Sequence, residues 1–149
     1  PRLHRWKFNL KTGATTEEDI CDETIEFGVI NQQIAGIEHR YTYSMIPTKG
    51  HFTFDGITKH DHQTKSLSKY LFPEHIFISE VSFAPKTSAI DEDDGYLVTI
   101  SNDLIENSSS CLLFDAKNIE QGPICNIPLP HQICSGTHAT WAQKIDLKP

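Results

Sequence analysis

The sequence carries one stretch three times, as Lys7-Phe8-Asn9-Leu10-Lys11-Thr12-Gly13, as Lys59-His60-Asp61-His62-Gln63-Thr64-Lys65 and, less completely, as Phe114-Asp115-Ala116-Lys117-Asn118. Each copy is typical of a strand that ends in a turn closed by an Asn or Asp side chain. The turn residues Asn9, Asp61 and Asp115 are 52 and 54 residues apart. A period of about 50 residues built from short strands is typical of a β-propeller, whose four-stranded blades surround a channel. The sequence therefore predicts an all-β chain with about three propeller blades.

Alternating apolar and polar residues support the assignment of strands. The apolar positions fall on one face of each predicted strand: Trp6, Phe8 and Leu10; Tyr41, Tyr43 and Met45; and Phe52 and Phe54. A period of two residues is the pattern of a half-buried strand. No segment shows comparable helical periodicity, and clusters of Gly, Pro, Asn and Ser separate the runs as turns require.

Composition limits the class of protein. The 149 residues carry a net charge of −7 at pH 7. This charge argues against a nucleic-acid partner, because phosphate binding depends on clustered Lys and Arg. No apolar stretch approaches the ~20 residues that are needed to cross a bilayer. The four cysteines form no CxxC pair, which predicts buried, reduced thiols in a cytoplasmic protein.

The chain is expected to be part of a longer protein. It begins with Pro1, almost directly in a predicted strand. About three repeats are too few for a closed propeller, which needs about four to eight blades. We therefore expect residues 1–149 to be the C-terminal portion of a single propeller domain.

Two local patterns favour ordinary turns over metal sites. The run Asp91-Glu92-Asp93-Asp94-Gly95 imitates a calcium loop, but Asn102 stands where an EF-hand needs a bidentate Glu, so a solvated turn is predicted. His60 and His62 would point the same way on an extended strand and could share a metal. Since they fall at a predicted hairpin turn, we expect both to be exposed to solvent.

Three residues point to a metal-binding site on the propeller axis. Glu26, Glu80 and His138 lie 54 and 58 residues apart, so the repeat would place them on equivalent strands that converge. Glu26 and Glu80 sit in otherwise apolar strands, where an unpaired charge is costly. Small residues flank His138 and leave space around its ring. A metal-bound His that donates its second ring N–H to a carboxylate would satisfy both requirements.

The same residues fall in motifs that resemble the C-terminal part of the carotenoid cleavage oxygenase family, which includes bacterial lignostilbene and apocarotenoid dioxygenases. The motifs follow one another along nearly the whole chain: Arg5-Trp6-Lys7-Phe8, Glu26-Phe27-Gly28-Val29-Ile30-Asn31, His39-Arg40-Tyr41-Thr42-Tyr43-Ser44, Phe54-Asp55-Gly56, Lys59-His60-Asp61, Glu92-Asp93-Asp94-Gly95-Tyr96-Leu97, Leu129-Pro130-His131 and Ser135-Gly136-Thr137-His138. Their order and spacing together make the match specific.

The resemblance implies a seven-bladed propeller with a non-haem Fe(II) on its axis, held by four histidines of which three are oriented by glutamates. His138 matches the last of these ligands, and Glu26 and Glu80 match two of the orienting carboxylates. The other three histidines and one glutamate would lie outside this chain. Three further residues lie near these positions in sequence and could line the substrate cavity, although core packing would explain each equally well. They are Phe27, His131 and Trp141.

The implied reaction is the oxidative cleavage of a double bond of a carotenoid, apocarotenoid or stilbene by O2, which gives two carbonyl products. The expected partners are an apolar polyene or stilbene and O2, and peripheral membrane contact would involve the part of the protein outside this chain. Three alternatives stay open. They are an iron-dependent retinoid-type isomerase, a non-catalytic propeller that binds a ligand, and an unrelated hydrolase that binds zinc through His60, His62 and His138.

Overall fold

A computed structural model describes residues 1–144, which form an all-β structure. Its strands are β1 (His4–Phe8), β2 (Thr15–Asp19), β3 (Glu26–Val29), β4 (Tyr41–Pro47), β5 (Phe54–Asp61), β6 (Ser66–Leu71), β7 (Ile76–Ile78), β8 (Ser82–Pro85), β9 (Gly95–Asp103), β10 (Ser108–Asp115) and β11 (Pro123–Pro128). Two short 3-10 helices, Gln32–Ile34 and Ile119–Gln121, are assigned between strands. The structure of this part of the chain agrees with the lack of helical periodicity in the sequence.

The strands group into antiparallel blades. β3, β4, β5 and β6 pair in chain order as a four-stranded meander. β8, β9, β10 and β11 form a second meander of the same kind. β1 and β2 make a separate hairpin. The short β7 pairs with the start of β5 and with the end of β9, and so connects the two complete blades.

The repeated turns contain the predicted side-chain hydrogen bonds. Asn9 Oδ1 accepts from the backbone N–H groups two and three residues further on, at 3.0 and 3.1 Å, and Asp61 Oδ1 does the same at 2.9 and 3.2 Å. The residue four positions after each is left-handed, Gly13 at φ 74° and Lys65 at φ 58°. In the third copy, Asp115 Oδ1 accepts from the N–H two residues on at 2.8 Å. The β1–β2 hairpin thus corresponds to the last two strands of a blade, and the prediction of about three blades is confirmed.

The first strands of the two complete blades share one register. Val29 of β3 pairs with Tyr43 of β4, and Phe83 of β8 pairs with Leu97 of β9. Each of these residues is 54 positions from its counterpart in the other blade. The spacing that was read from the sequence is therefore the structural repeat of this chain.

One hydrophobic core joins the two complete blades. The Tyr43 ring stacks on Phe83 at 5.7 Å between centroids, and its hydroxyl donates to the carbonyl oxygen of Ala116 at 3.1 Å. A buried ion pair also connects the blades, since Lys59 Nζ of β5 lies 2.7 Å from Asp93 Oδ2 in the loop before β9. The largest fully buried side chains of this core are Tyr43, Met45, Ile57, Ile78, Val81, Leu97, Phe114 and Ile119.

Several sequence expectations about exposure are wrong. His60 is buried, with 2% of its surface exposed, because it lies in the central strand β5 between β4 and β6 and not at the tip of the turn. Asp93 is buried by its pairing with Lys59, so the acidic run is not a fully solvated turn. Phe52 was expected on the same strand face as Phe54, but it is exposed and lies outside β5. The turn after β4 includes residue 53, so the strand begins only at Phe54.

The apolar face predicted for β1 is exposed within the described structure, where Trp6 is 56% and Phe8 67% accessible. The four cysteines are unpaired, but the expectation that they are buried is wrong, because Cys125 and Cys134 are exposed and Cys21 and Cys111 are only partly buried. Among residues 1–144 there is no helix whose length and apolar character would allow it to span a membrane.

Candidate metal centre

The site is built around the carboxylate of Glu80. The prediction that Glu80 lies within a strand is wrong, because Glu80 lies in the short connection between β7 and β8, where it is 8% exposed. A single oxygen, Oε2, accepts the backbone N–H of Ala139 at 2.6 Å and lies 3.3 Å from Nδ1 of His138. A carboxylate oxygen accepts hydrogen bonds, so in the ring tautomer that satisfies this contact Nδ1 carries the hydrogen and Nε2 has a free lone pair.

The histidine side of the site lies on an irregular segment. The sequence prediction that His138 hangs from a strand is wrong, because the described residues after β11 form no further strand. The segment is held instead by hydrogen bonds from its own backbone to side chains of the second complete blade. The His138 side chain is 73% exposed, so the free Nε2 is accessible.

Phe27 packs against the imidazole from the neighbouring blade. Its ring meets His138 edge-on at 5.3 Å and Phe54 at 5.6 Å between centroids. Phe27 has a φ of 49°, which is uncommon for a bulky residue, and the β3–β4 register shifts between Glu26 and Val29. A bulge of this kind re-aims a side chain, and strained backbone of this kind clusters at functional sites. The structure thus places Phe27 beside the ring of His138.

Glu26 occupies the position in the first complete blade that Glu80 occupies in the second. Glu26 lies three residues before Val29, and Glu80 lies three residues before Phe83, which are equivalent in register. The structure therefore brings Glu80 and His138 together, and places Glu26 at the same end of the neighbouring blade. The roles of all three in metal binding stay predictions.

A cavity of about 250 Å³ lies beside the pair. Its lining includes Glu80, His138 and Trp141, with apolar walls from Val98 and Ile133. Trp141 is therefore placed as a cavity residue, whereas Phe27 contacts the ring of His138. His131 is exposed on the segment that precedes the cavity.

The zinc site proposed for three histidines is not assembled. Both ring nitrogens of His62 have partners, since Nδ1 lies 3.1 Å from Arg5 Nη2 and Nε2 lies 2.8 Å from Thr42 Oγ1. Phe54, at the start of β5, contacts the Phe27 ring beside His138. His60 lies near the other end of this strand, and His62 follows it. The six residues of strand from Phe54 to His60 span about 20 Å, so both histidines are far from His138. In the part of the chain that the structure describes, no three His, Cys, Asp or Glu side chains are close enough to hold a metal.

Sequence reasoning missed two residues that contribute to the site. Ser79 and Ser109 are buried and accept hydrogen bonds from the backbone of the segment that carries His138. Buried serines in strands, such as Ser109, or directly after them, such as Ser79, carry no distinctive pattern. Their role depends on which distant segment they contact, so nothing in the local sequence indicated it.

The chain contains two propeller blades, and a buried carboxylate at their edge orients the ring of an exposed histidine. These features define the chain as part of a propeller protein with a candidate metal site. The chain belongs to the family described as retinal pigment epithelial membrane protein (RPE65), whose sequence model matches residues 1–143. The resemblance to carotenoid cleavage oxygenases, drawn from the motifs, is thereby confirmed.

Individual relatives are similar over nearly the whole chain. A carotenoid cleavage oxygenase of Mycobacterium tuberculosis is 33% identical over 148 residues, which cover 95% of this chain and 29% of that protein. The lignostilbene-alpha,beta-dioxygenase isozyme III of Sphingomonas paucimobilis is 29% identical and is covered to 32%. The crystal structure of cobalt-substituted apocarotenoid oxygenase of Synechocystis superposes with a TM-score of 0.88 at 25% identity, over 96% of this chain and 30% of that one. The chain thus spans about a third or less of the length of the relatives it matches.

Proposed function

We propose that the protein containing this chain is an Fe(II)-dependent dioxygenase that cleaves a double bond of a carotenoid, apocarotenoid or stilbene with O2 and releases carbonyl products. The observation that carries the proposal is the Glu80–His138 contact, which leaves an accessible Nε2 on an oriented ring. The reaction class comes from relatives named as carotenoid, lignostilbene and apocarotenoid oxygenases. We also propose that residues 1–149 are the C-terminal part of that protein.

The donor atoms of the site suit iron. A neutral imidazole is a favourable ligand for Fe(II), and a carboxylate behind the ring is the usual partner of a metal-bound histidine. His138 would hold the metal through Nε2, with the remaining ligands supplied from outside this chain. Glu26, at the equivalent position of the neighbouring blade, would orient one of those histidines. Iron bound there would supply the activation of O2 that the alkene cleavage requires.

The residues of this chain orient the ring and shape the space beside it. Glu80 keeps the ring proton on Nδ1, so that the lone pair stays on Nε2. Phe27 packs edge-on against the imidazole and restricts its rotation. Val98, Ile133 and Trp141 give the adjacent cavity apolar walls, from which an apolar polyene or stilbene would displace water.

The experiment is an oxygen-consumption assay on the whole iron-loaded protein with a panel of stilbenes and apocarotenoids. We expect one O2 to be consumed for each double bond that is cleaved, and label from 18O2 to appear in the carbonyl products when exchange with water is suppressed. His138→Ala should lose both iron and turnover. His75→Ala is the matched control, because His75 is a partly exposed histidine in the loop before β7.

Two results would contradict the proposal. Isomerisation of a substrate without O2 consumption under anaerobic conditions would identify the protein as an isomerase. A fully iron-loaded protein that binds the substrates and leaves every one of them unchanged would identify a binding module.

A further inference from the structure

The segment that carries His138 is attached at regular intervals. The backbone N–H of Ile133 donates to Ser109 Oγ at 2.9 Å, that of Gly136 to Ser79 Oγ at 3.0 Å, and that of Ala139 to Glu80 Oε2 at 2.6 Å. The three donors are three residues apart, and all three acceptors are side chains of the second complete blade or of the residues that lead into it. Residues 133–139 are named the His138 segment below.

Both serine acceptors are themselves fixed. Ser109 is 2% exposed, and its hydroxyl donates to Asn102 Oδ1 at 2.7 Å, so its oxygen is oriented to accept from the segment. Ser79 is 6% exposed, and its own backbone N–H donates to the Ile100 carbonyl at 2.8 Å. Its carbonyl accepts the hydroxyl of Thr99 at 2.8 Å. Each serine is therefore a rigid part of the blade and not a mobile surface group.

We propose that Ser79 and Ser109 are positioning residues that hold the His138 segment against the blade and thereby set the affinity of His138 for iron. The part of this inference that concerns iron rests on the proposed function. The physical reason is that an irregular segment has no ladder of strand hydrogen bonds to fix it. Its conformation depends on side-chain acceptors, and a ligand that is held in place binds metal without a further loss of conformational freedom.

Glu80 alone cannot fix the segment. Its carboxylate contacts the segment only at Ala139 and His138, at one end. Without the serines, the backbone N–H groups of Ile133 and Gly136 lose their acceptors, and residues 133–137 are free to move away from the blade. The ring would then reach its metal-binding position in only a fraction of the molecules, and the apparent affinity for metal falls by that fraction.

The test uses the whole protein with Ser79→Ala, Ser109→Ala and the double variant. Amide deuterium uptake is measured on the iron-free protein, in peptides that cover residues 129–141. The iron dissociation constant is measured separately by chelator competition. We expect each serine variant to raise uptake in this segment and to weaken iron binding, on the order of 10-fold, which is the smaller of the effects known for residues that support a ligand.

Two variants serve as controls. Ser101→Ala removes an equally buried hydroxyl from the same blade, where it donates to the Ser110 carbonyl at 3.3 Å, and it should change neither measurement. Ser79→Thr keeps the hydroxyl and should show the deuterium uptake and the iron affinity of the unsubstituted protein. Ser79 borders the cavity beside His138, so the added methyl group has space there.

The two proposals fail in different ways. If the double serine variant keeps normal deuterium uptake and normal iron affinity while His138→Ala loses iron, the positioning role is overturned and the proposed function stands. If uptake rises in the double serine variant but its iron affinity is unchanged, the positioning role is likewise overturned and the proposed function stands. If His138→Ala itself binds iron normally, the ligand assignment is wrong, and the proposed effect of the serines on iron affinity is overturned with it.

Discussion

The pair of substitutions Glu80→Gln and Glu80→Ala separates the charge of this residue from its geometry. Both hydrogen bonds of the site end on one oxygen, Oε2, which accepts from Ala139 and contacts Nδ1 of His138. A glutamine has a carbonyl oxygen that reaches the same position, so it preserves both acceptor contacts and removes only the charge. An alanine removes the acceptor as well and leaves two N–H groups without a partner.

The structure gives the expected size of each effect. A hydrogen bond to a charged group contributes about 1.5–3 kcal/mol and a neutral one about 1 kcal/mol, so glutamine weakens the two contacts by about 1–4 kcal/mol in total. The His138 side chain is 73% exposed, and water screens its contact, which selects the lower end of this range. A loss of about 1.4 kcal/mol is tenfold in affinity. We therefore expect iron binding to weaken roughly 10-fold in Glu80→Gln and about 100-fold in Glu80→Ala.

The assay is competition with a chelator under anaerobic conditions, on the whole protein, with circular dichroism as a check that the blades stay folded. Glu120→Gln is the matched control, since Glu120 is an exposed glutamate in the turn after β10. His138→Ala should exceed both Glu80 variants, because it removes the donor atom itself. The reasoning would be refuted by equal affinities in Glu80→Gln and Glu80→Ala, or by normal iron content in His138→Ala.

Three other predictions concern stability and the isolated chain. Burial and the nearby His60 lower the pKa of His62 from 6.5 to about 4. As the pH falls, the unfolded chain therefore binds a proton at this residue before the folded chain does. Because water partly screens this half-buried ring, about 1–2 kcal/mol of the stability present above pH 6.5 should be lost as the pH falls to 4, and urea unfolding of His62→Gln should show a correspondingly weaker dependence on pH. Lys59→Met leaves the carboxylate of Asp93 without its partner in the core and should lower the free energy of unfolding, measured in urea, by about 3–5 kcal/mol. The double variant Lys59→Met/Asp93→Leu should largely recover this loss. The isolated chain should retain no stoichiometric iron after dialysis against a chelator, because His138 alone cannot satisfy Fe(II), and metal analysis checks this.

The blades could be predicted from the sequence because their turns are local. An Asn or Asp side chain that accepts from the amides two and three residues further on needs no partner elsewhere in the chain, so Asn9, Asp61 and Asp115 mark the repeat wherever it occurs. The 54-residue spacing of Glu26 and Glu80 follows from the same repeat. Their equivalent positions in the two blades are a direct consequence.

The remaining features depend on contacts between distant segments. His60 was expected at an exposed turn, but its burial depends on its neighbours in the sheet and on the approach of the β1–β2 hairpin, whose Arg5 reaches His62. The strand predicted for His138 relied on a spacing of 58 residues, four more than the structural repeat. That difference is the signal that His138 does not occupy the same position in a blade as the two glutamates.

The irregular backbone around His138 determines what would limit metal binding at the proposed site. A ligand on a strand is fixed by the hydrogen bonds of the sheet, so its position can shift only if the blade itself deforms. The His138 segment is fixed by three side-chain acceptors, of which only Glu80 also contacts the ring. Ser79 and Glu80 themselves contact the segment, whereas their neighbours Ile78 and Val81 belong to the hydrophobic core. In the proposed metal site, substitutions at Ser79, Glu80 or Ser109 that leave these core side chains in place should therefore lower metal affinity more than they lower the stability of the blade.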